Sequence, residues 1–187
     1  MNDLVIVRGG GDLATGTIYK LKRCGFSVLI LETANPAAIR RTVAFSEAVF
    51  QGHQTVEGIT CYLAESLEQA EAFLHDGKLT MLVDPMAESI AQLKPLVVVD
   101  AILAKKNLGT NRNMAPITVG LGPGFAAGSD VDAVIETKRG HRLGMVLRSG
   151  CAAANTGVPG IIGGYGRERV IYCPAEGILR HVKKIAD

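Results

Sequence analysis

The residues best suited to chemistry in this chain are glycines. Gly9-Gly10-Gly11-Asp12-Leu13-Ala14 fits the spacing G-x-G-x-x-G/A. It separates an apolar, β-branched run (residues 4–7) from a stretch with helical character (residues 13–24). In that setting Gly9 permits a sharp turn, Gly11 lets the backbone come close to a phosphate, and Ala14 allows tight helix–strand packing. The free N–H groups and dipole of a helix start favour an anion. Glu32 closes a second apolar run (residues 27–31), where an acid binds the ribose hydroxyls of NAD. Gly9, Gly10, Gly11, Asp12, Ala14 and Glu32 therefore form a candidate site for NAD or NADP. The alternative is that the glycines only make a tight turn, with Asp12 capping the helix itself and repelling a phosphate. Arg40 and Arg41 leave a phosphorylated ribose open, although adjacent arginines commonly form a solvated face.

Further polar residues stand at comparable places. Gly122 and Gly124 lie in a second glycine-rich turn (residues 120–128) that also follows a strand-like run, and its successive amides could form an anion-binding nest. Asp130 and Asp132 are two apart and share a face on a strand. With His141 they could bind a metal or do acid–base work, or simply cap turns. No compact ligand spacing is present, so no metal site is assigned. Asp84 and Asp100 each end an apolar run, and Asn155 opens a turn cluster with Gly157 and Gly160. Functional and capping roles are evenly matched for Asp100, and Lys105 and Lys106 read as solvated surface. No residue is singled out as catalytic: Cys151 has no base beside it, and no Tyr-x-x-x-Lys pair occurs.

These residues need a scaffold. Apolar strands are expected at 4–8, 27–31, 80–84, 96–100 and 117–121, helices at 13–24, 37–50, 66–75 and 86–93, and a hairpin or an extended pair over 55–64. On the first of these helices Leu13, Thr17, Leu21 and Cys24 fall along one side. Ser66 with Gln69 forms a capping box. After residue 110 the pattern turns β-rich, with strands expected at 131–137, 142–148 and 168–173. The fold class is α/β: a Rossmann-like, mostly parallel sheet over residues 1–112, then a smaller β-rich region with glycine-rich loops over 113–187. Four of the runs (4–8, 80–84, 96–100, 117–121), if parallel, would place Gly9, Gly11, Asp84, Asp100, Gly122 and Gly124 along one carboxyl edge. Asp130, Asp132, His141 and Asn155 would then form a wall over a single cleft.

Bulk properties bound the function. With 187 residues, 48% hydrophobic, the chain can bury a core without disulfides. A net charge of +2 points neither to nucleic acid nor to a membrane surface. No apolar run is long enough to span a bilayer, and the four cysteines lack CxxC spacing, which fits thiols in the reducing cytoplasm. The 22 glycines gather in a few turns, which suggests close backbone approach.

Several blocks together resemble the YqeB-type proteins of the selenium-dependent molybdenum hydroxylase system. They are residues 8–16 (RGGGDLATG), 39–48 (IRRTVAFSEA), 100–105 (DAILAK), 120–125 (GLGPGF), 134–141 (VIETKRGH) and 155–160 (NTGVPG). The resemblance implies an accessory role in maturing a molybdenum hydroxylase of the xanthine dehydrogenase type, or its cofactor. It brings in a molybdopterin dinucleotide as a second candidate ligand beside NAD(P), and a molybdenum hydroxylase as partner. Homo-oligomers are compatible with it. Such proteins tend to continue past residues 174–178 into a small lipoyl-like β segment, so a fragment or a shorter member is expected. The rival expectations are an NAD(P)-dependent oxidoreductase and a non-catalytic scaffold.

Overall fold

The structure is a computed structural model that describes residues 3–177. Its compact units are Met1–Ala154 and Asn155–Asp187. The first is built on β1 (Leu4–Arg8), β2 (Ser27–Glu32), β3 (His53–Val56), β4 (Ile59–Ala64), β5 (Leu79–Val83), β6 (Val97–Asp100), β7 (Ile117–Leu121), β8 (Ala126–Ala127), β9 (Ala133–Ile135), β10 (Val146–Leu147) and β11 (Gly150–Cys151). Its helices are α1 (Asp12–Arg23), α2 (Ala48–Gln51), α3 (Leu67–His75) and α4 (Ser89–Leu93). Nine strands form one sheet in the order β10-β9-β7-β6-β1-β2-β5-β4-β3. It is parallel from β9 to β4, with an antiparallel strand at each edge. β8 and β11 pair separately.

The sheet is buried on both faces, which is why its central strands read as continuous apolar runs. Val5, Val7, Val28 and Ile30 pack on one face against Ala14 and Ile18 of α1 and against Phe45. Leu4, Ile6, Leu29 and Leu31 pack on the other against Leu74 of α3 and Ile90 of α4. The carboxyl edge is set by the register Arg8↔Asp100 and Arg8↔Leu31 at the centre of the sheet.

Several expectations change. β7 pairs in parallel with β6, so the sheet runs through the boundary expected at 112/113, and the division falls at Ala154/Asn155. The buried face of α1 is Ala14, Thr15 and Ile18, one step round from the expected side; Leu13 and Cys24 are exposed. No helix spans 37–50. Residues 33–40 are irregular, short 3-10 turns cover Arg41–Val43 and Phe45–Glu47, and only α2 is α-helical. The cause is tertiary. The Phe45 amide donates to Thr15 Oγ1 at 2.9 Å and the Ser46 amide to the Gly10 carbonyl at 2.8 Å, so neither bonds back along its own segment. The hairpin forms as β3–β4 around Glu57 and Gly58, and Ser66 caps α3 through the Gln69 amide.

In the second unit, residues 168–173 make no strand. A 3-10 turn covers Arg167–Arg169, and among the described residues of this unit the pairing is a single bridge, Ile162↔Tyr165.

No helix among the described residues is long and apolar enough to cross a membrane.

Candidate functional site

A cavity of about 610 Å³ opens at the carboxyl ends of β1, β2 and β6. From β1 the chain steps to β2 on one side and later returns as β6 on the other. That reversal of strand order is where open α/β sheets hold ligands. Gly9, Gly11, Asp12, Ala14 and Glu32 all line the cavity.

The glycines of the turn differ in what surrounds them. Gly9 has φ +92, and a Cβ there would stand 3.0 Å from the backbone of Ile102. A Cβ at Gly10 would stand 2.9 Å from the Met81 side chain. Gly11 has φ −63, which any residue adopts, and a Cβ there would meet nothing within 4 Å. The left-handed φ and the neighbouring backbone therefore call for glycine at 9, position 10 is closely packed, and position 11 meets neither constraint; the space beside Gly11 is the cavity.

Polar groups converge on that space. The amides of Gly11, Asp12 and Ala14 have no hydrogen-bond partner among the described residues, and they form the positive end of α1. Glu32 accepts from the Gly10 amide and the Thr33 amide, both at 2.8 Å, which fixes its carboxylate while leaving lone pairs for a ligand. Asp12 accepts from the Leu13 amide at 2.8 Å and pairs with Arg40 at 2.6 Å. The capping role weighed for Asp12 is thus met, and its charge is offset by Arg40. Leu13, Pro36, Ala37, Ala38 and Ile39 form an apolar rim on one side. The opposite wall is Ala101, Ile102, Leu103 and Lys105. Leu103 and Lys105 have φ 59 and 63, a conformation that is an outlier for side chains this large and persists only where the surroundings impose it.

A buried network anchors the start of that wall at Ile102. Arg8 and Asp100 are both buried and pair at 3.7 Å. Arg8 Nη1 also donates to Thr110 Oγ1, Thr110 donates to Asp100 at 2.5 Å, and Asp100 accepts from the Ile102 amide at 3.1 Å. Asn107 closes the loop through the Thr110 amide and carbonyl, both at 2.8 Å. Asp100 is therefore a brace, and its carboxylate does not line the cavity.

Other expected site residues have structural partners. The second glycine turn lies at the same carboxyl edge, since β7 is parallel to β6, yet it does not share the cavity. A Cβ at Gly122 would stand 2.7 Å from Thr137 Oγ1, and one at Gly124 would stand 2.7–2.9 Å from the Lys106 backbone. This turn supports the 101–106 wall from behind. Asp84 caps α4, accepting from the Glu88 and Ser89 amides and the Ser89 hydroxyl. Burial pushes its carboxyl up, but those bonds win and hold it below the usual range.

Asp130 accepts from the Ala126 amide. Asp132 accepts from the Thr118 amide and hydroxyl and pairs with Arg112 at 2.8 Å, tying β7 to the approach of β9. His141 lines a separate cavity of about 370 Å³ with Arg139, Arg142 and Cys151. Beneath it Glu136 accepts from the Ala153 and Lys138 amides, and these bonds hold its carboxyl low. Asn155 belongs to the second unit. The single cleft of the sequence reading thus contracts to the first turn, Glu32 and the 101–105 wall. No group of three His, Cys, Asp or Glu among the described residues is arranged to hold a metal.

Sequence reasoning missed Ser46 and undervalued Lys105, both of which line the cavity. It also missed the Arg8–Asp100 pair. A signal existed: each is a charge ending an otherwise apolar strand.

Comparison with known proteins adds one relationship. The chain is 53% identical over 186 residues to a protein of Escherichia coli (strain K12) described as uncharacterized protein YqeB, a match covering 100% of this chain and 34% of that relative. The chain thus spans about a third of the length of the curated relative it matches. No family model matches it, and no solved structure does.

Proposed function

Starting from a chain that is YqeB-type along its whole length, we propose that it carries a Rossmann-like nucleotide site serving an accessory protein of selenium-dependent molybdenum hydroxylase maturation. The ligand is NAD(P) or a nucleotide-bearing cofactor such as a molybdopterin dinucleotide. The observation that carries the nucleotide assignment is Gly11: a glycine the fold does not need, facing open space at a helix start with unpartnered amides. A pyrophosphate fits there, because α1 supplies donors and a positive dipole end and Lys105 a cation. The fixed Glu32 carboxylate suits ribose hydroxyls and disfavours a 2′-phosphate. The maturation role rests on the resemblance.

The Asp12–Arg40 pair favours one rival, a scaffold whose turn is closed by its own side chains. A thermal-shift screen of NAD, NADP, CTP and GTP separates the two. A ligand at 100 times its Kd should add about 2.7 kcal/mol of stability. Gly11→Val should remove that gain and leave the unliganded protein folded. A flat screen with the unmodified chain supports the scaffold.

A further inference from the structure

Among the described residues, every buried polar side chain but one makes a hydrogen bond. Arg8, Thr15, Thr80, Asp100 and the other buried polar residues each make a side-chain hydrogen bond. Ser46 is 1% exposed, and its Oγ makes none among the described residues. No described side-chain oxygen that is sealed from solvent lacks a partner. The small exposed part of Ser46 therefore carries its hydroxyl, and Ser46 lines the glycine cavity. The hydroxyl is thus open only toward the cavity, and a group bound there can complete its hydrogen bond.

The position of Ser46 specifies the group. Its segment is pinned to the first turn by the Ser46 amide on the Gly10 carbonyl (2.8 Å) and the Phe45 amide on Thr15 Oγ1 (2.9 Å). The hydroxyl thus stands beside the turn whose Gly11, Asp12 and Ala14 amides have no partner among the described residues. Every one of those groups can donate, and α1 points its positive end at them. The Asp12 carboxylate nearby is held by Arg40 and the Leu13 amide.

We infer that the Ser46 hydroxyl binds ligand in the glycine cavity, donating to a phosphate oxygen of the nucleotide held at Gly11. The inference rests on the nucleotide reading above. It adds a contact from outside the G-x-G-x-x-A turn, 32 residues beyond Ala14, which sequence spacing does not reveal.

Calorimetry on the unmodified chain, Ser46→Ala, Ser46→Cys and Gly11→Val tests it, with NAD, CDP and GDP as phosphorylated probes and adenosine, cytidine and guanosine as controls. Ser46→Ala removes an oxygen that makes no hydrogen bond among the described residues, so its unliganded melting temperature should be unchanged. Ser46→Cys keeps the volume and loses most of the donor strength. Both should weaken the phosphorylated probe about tenfold or more, as expected for a hydrogen bond to a charged group, and leave the matching nucleoside unaffected. If both bind the phosphorylated probe like the unmodified chain while Gly11→Val does not, the Ser46 inference fails and the nucleotide reading stands. Equal weakening of the nucleoside also overturns the phosphate contact. If no phosphorylated probe binds the unmodified chain, both readings fall together.

Discussion

Two glycine turns follow apolar parallel strands in this protein, at the same edge of one sheet, and they do different work. In the turn after β1, Gly9 and Gly10 are pressed against the chain and Gly11 is not. At the end of β7 Gly120 lies under the Phe125 ring, and in the turn after it Gly122 lies under Thr137 and Leu103 and Gly124 against the Lys106 backbone. The first opens a helix and leaves amides facing space. The second leads into the two-residue strand β8 and is filled by its own surroundings. One turn leaves a glycine open and the other is filled by the chain, and composition alone does not distinguish the two.

The brace between the turns offers the harshest way to disturb this contrast. Asp100→Ala leaves the Arg8 guanidinium buried and unpaired, and should cost about 3–5 kcal/mol in urea unfolding. It should also release the 101–105 wall and weaken nucleotide binding. Full stability in this variant would show that the brace is dispensable.

The same substitution in both turns tests the contrast itself. Gly124 has φ +114 and would set its Cβ against the Lys106 backbone, so Gly124→Ala combines left-handed strain with overpacking and should cost roughly 3 kcal/mol. Gly11→Ala meets neither and should cost about 1 kcal/mol or less. Equal costs for the two alanines would erase the distinction.

The smallest expected effect concerns acid stability on the side of the second turn. The hydrogen bond from the Thr118 hydroxyl, then the Thr118 amide and Arg112, hold the Asp132 carboxyl below its ordinary 3.8 against the opposing effect of burial. A folded-state value below the unfolded one means the contribution is complete above 3.8 and is lost as pH falls through the lower folded value. Asp132→Asn should therefore be less stable at neutral pH and lose less further stability between about pH 4 and pH 2. Parallel acid-unfolding curves for the two proteins would refute the assignment.

Much of the scaffold was legible in the sequence. The unit from β1 through the turn and α1 to β2, the Glu57-Gly58 hairpin and the Ser66 cap all follow from spacings of a few residues, where backbone geometry fixes the period. Gly9, Gly11, Asp12, Ala14 and Glu32 could be grouped for the same reason, since one βαβ unit carries them all. Residues 37–50 could not be read this way. Their apolar spacing suits a helix, but Phe45 enters the core and the amides at 45 and 46 bond to Thr15 and Gly10.

The sequence by itself determined that this chain makes a mostly parallel α/β sheet with a glycine turn at the end of its first strand. Only the tertiary structure decided that Asp100 is buried against Arg8, that Gly124 is filled by Lys106 while Gly11 is left open, and that Ser46 reaches the cavity. Each of these depends on contacts between segments distant in sequence. Local backbone preferences are written in neighbouring residues, whereas apolar burial is non-directional, so what occupies the space beside a given residue is fixed only when the whole chain has packed.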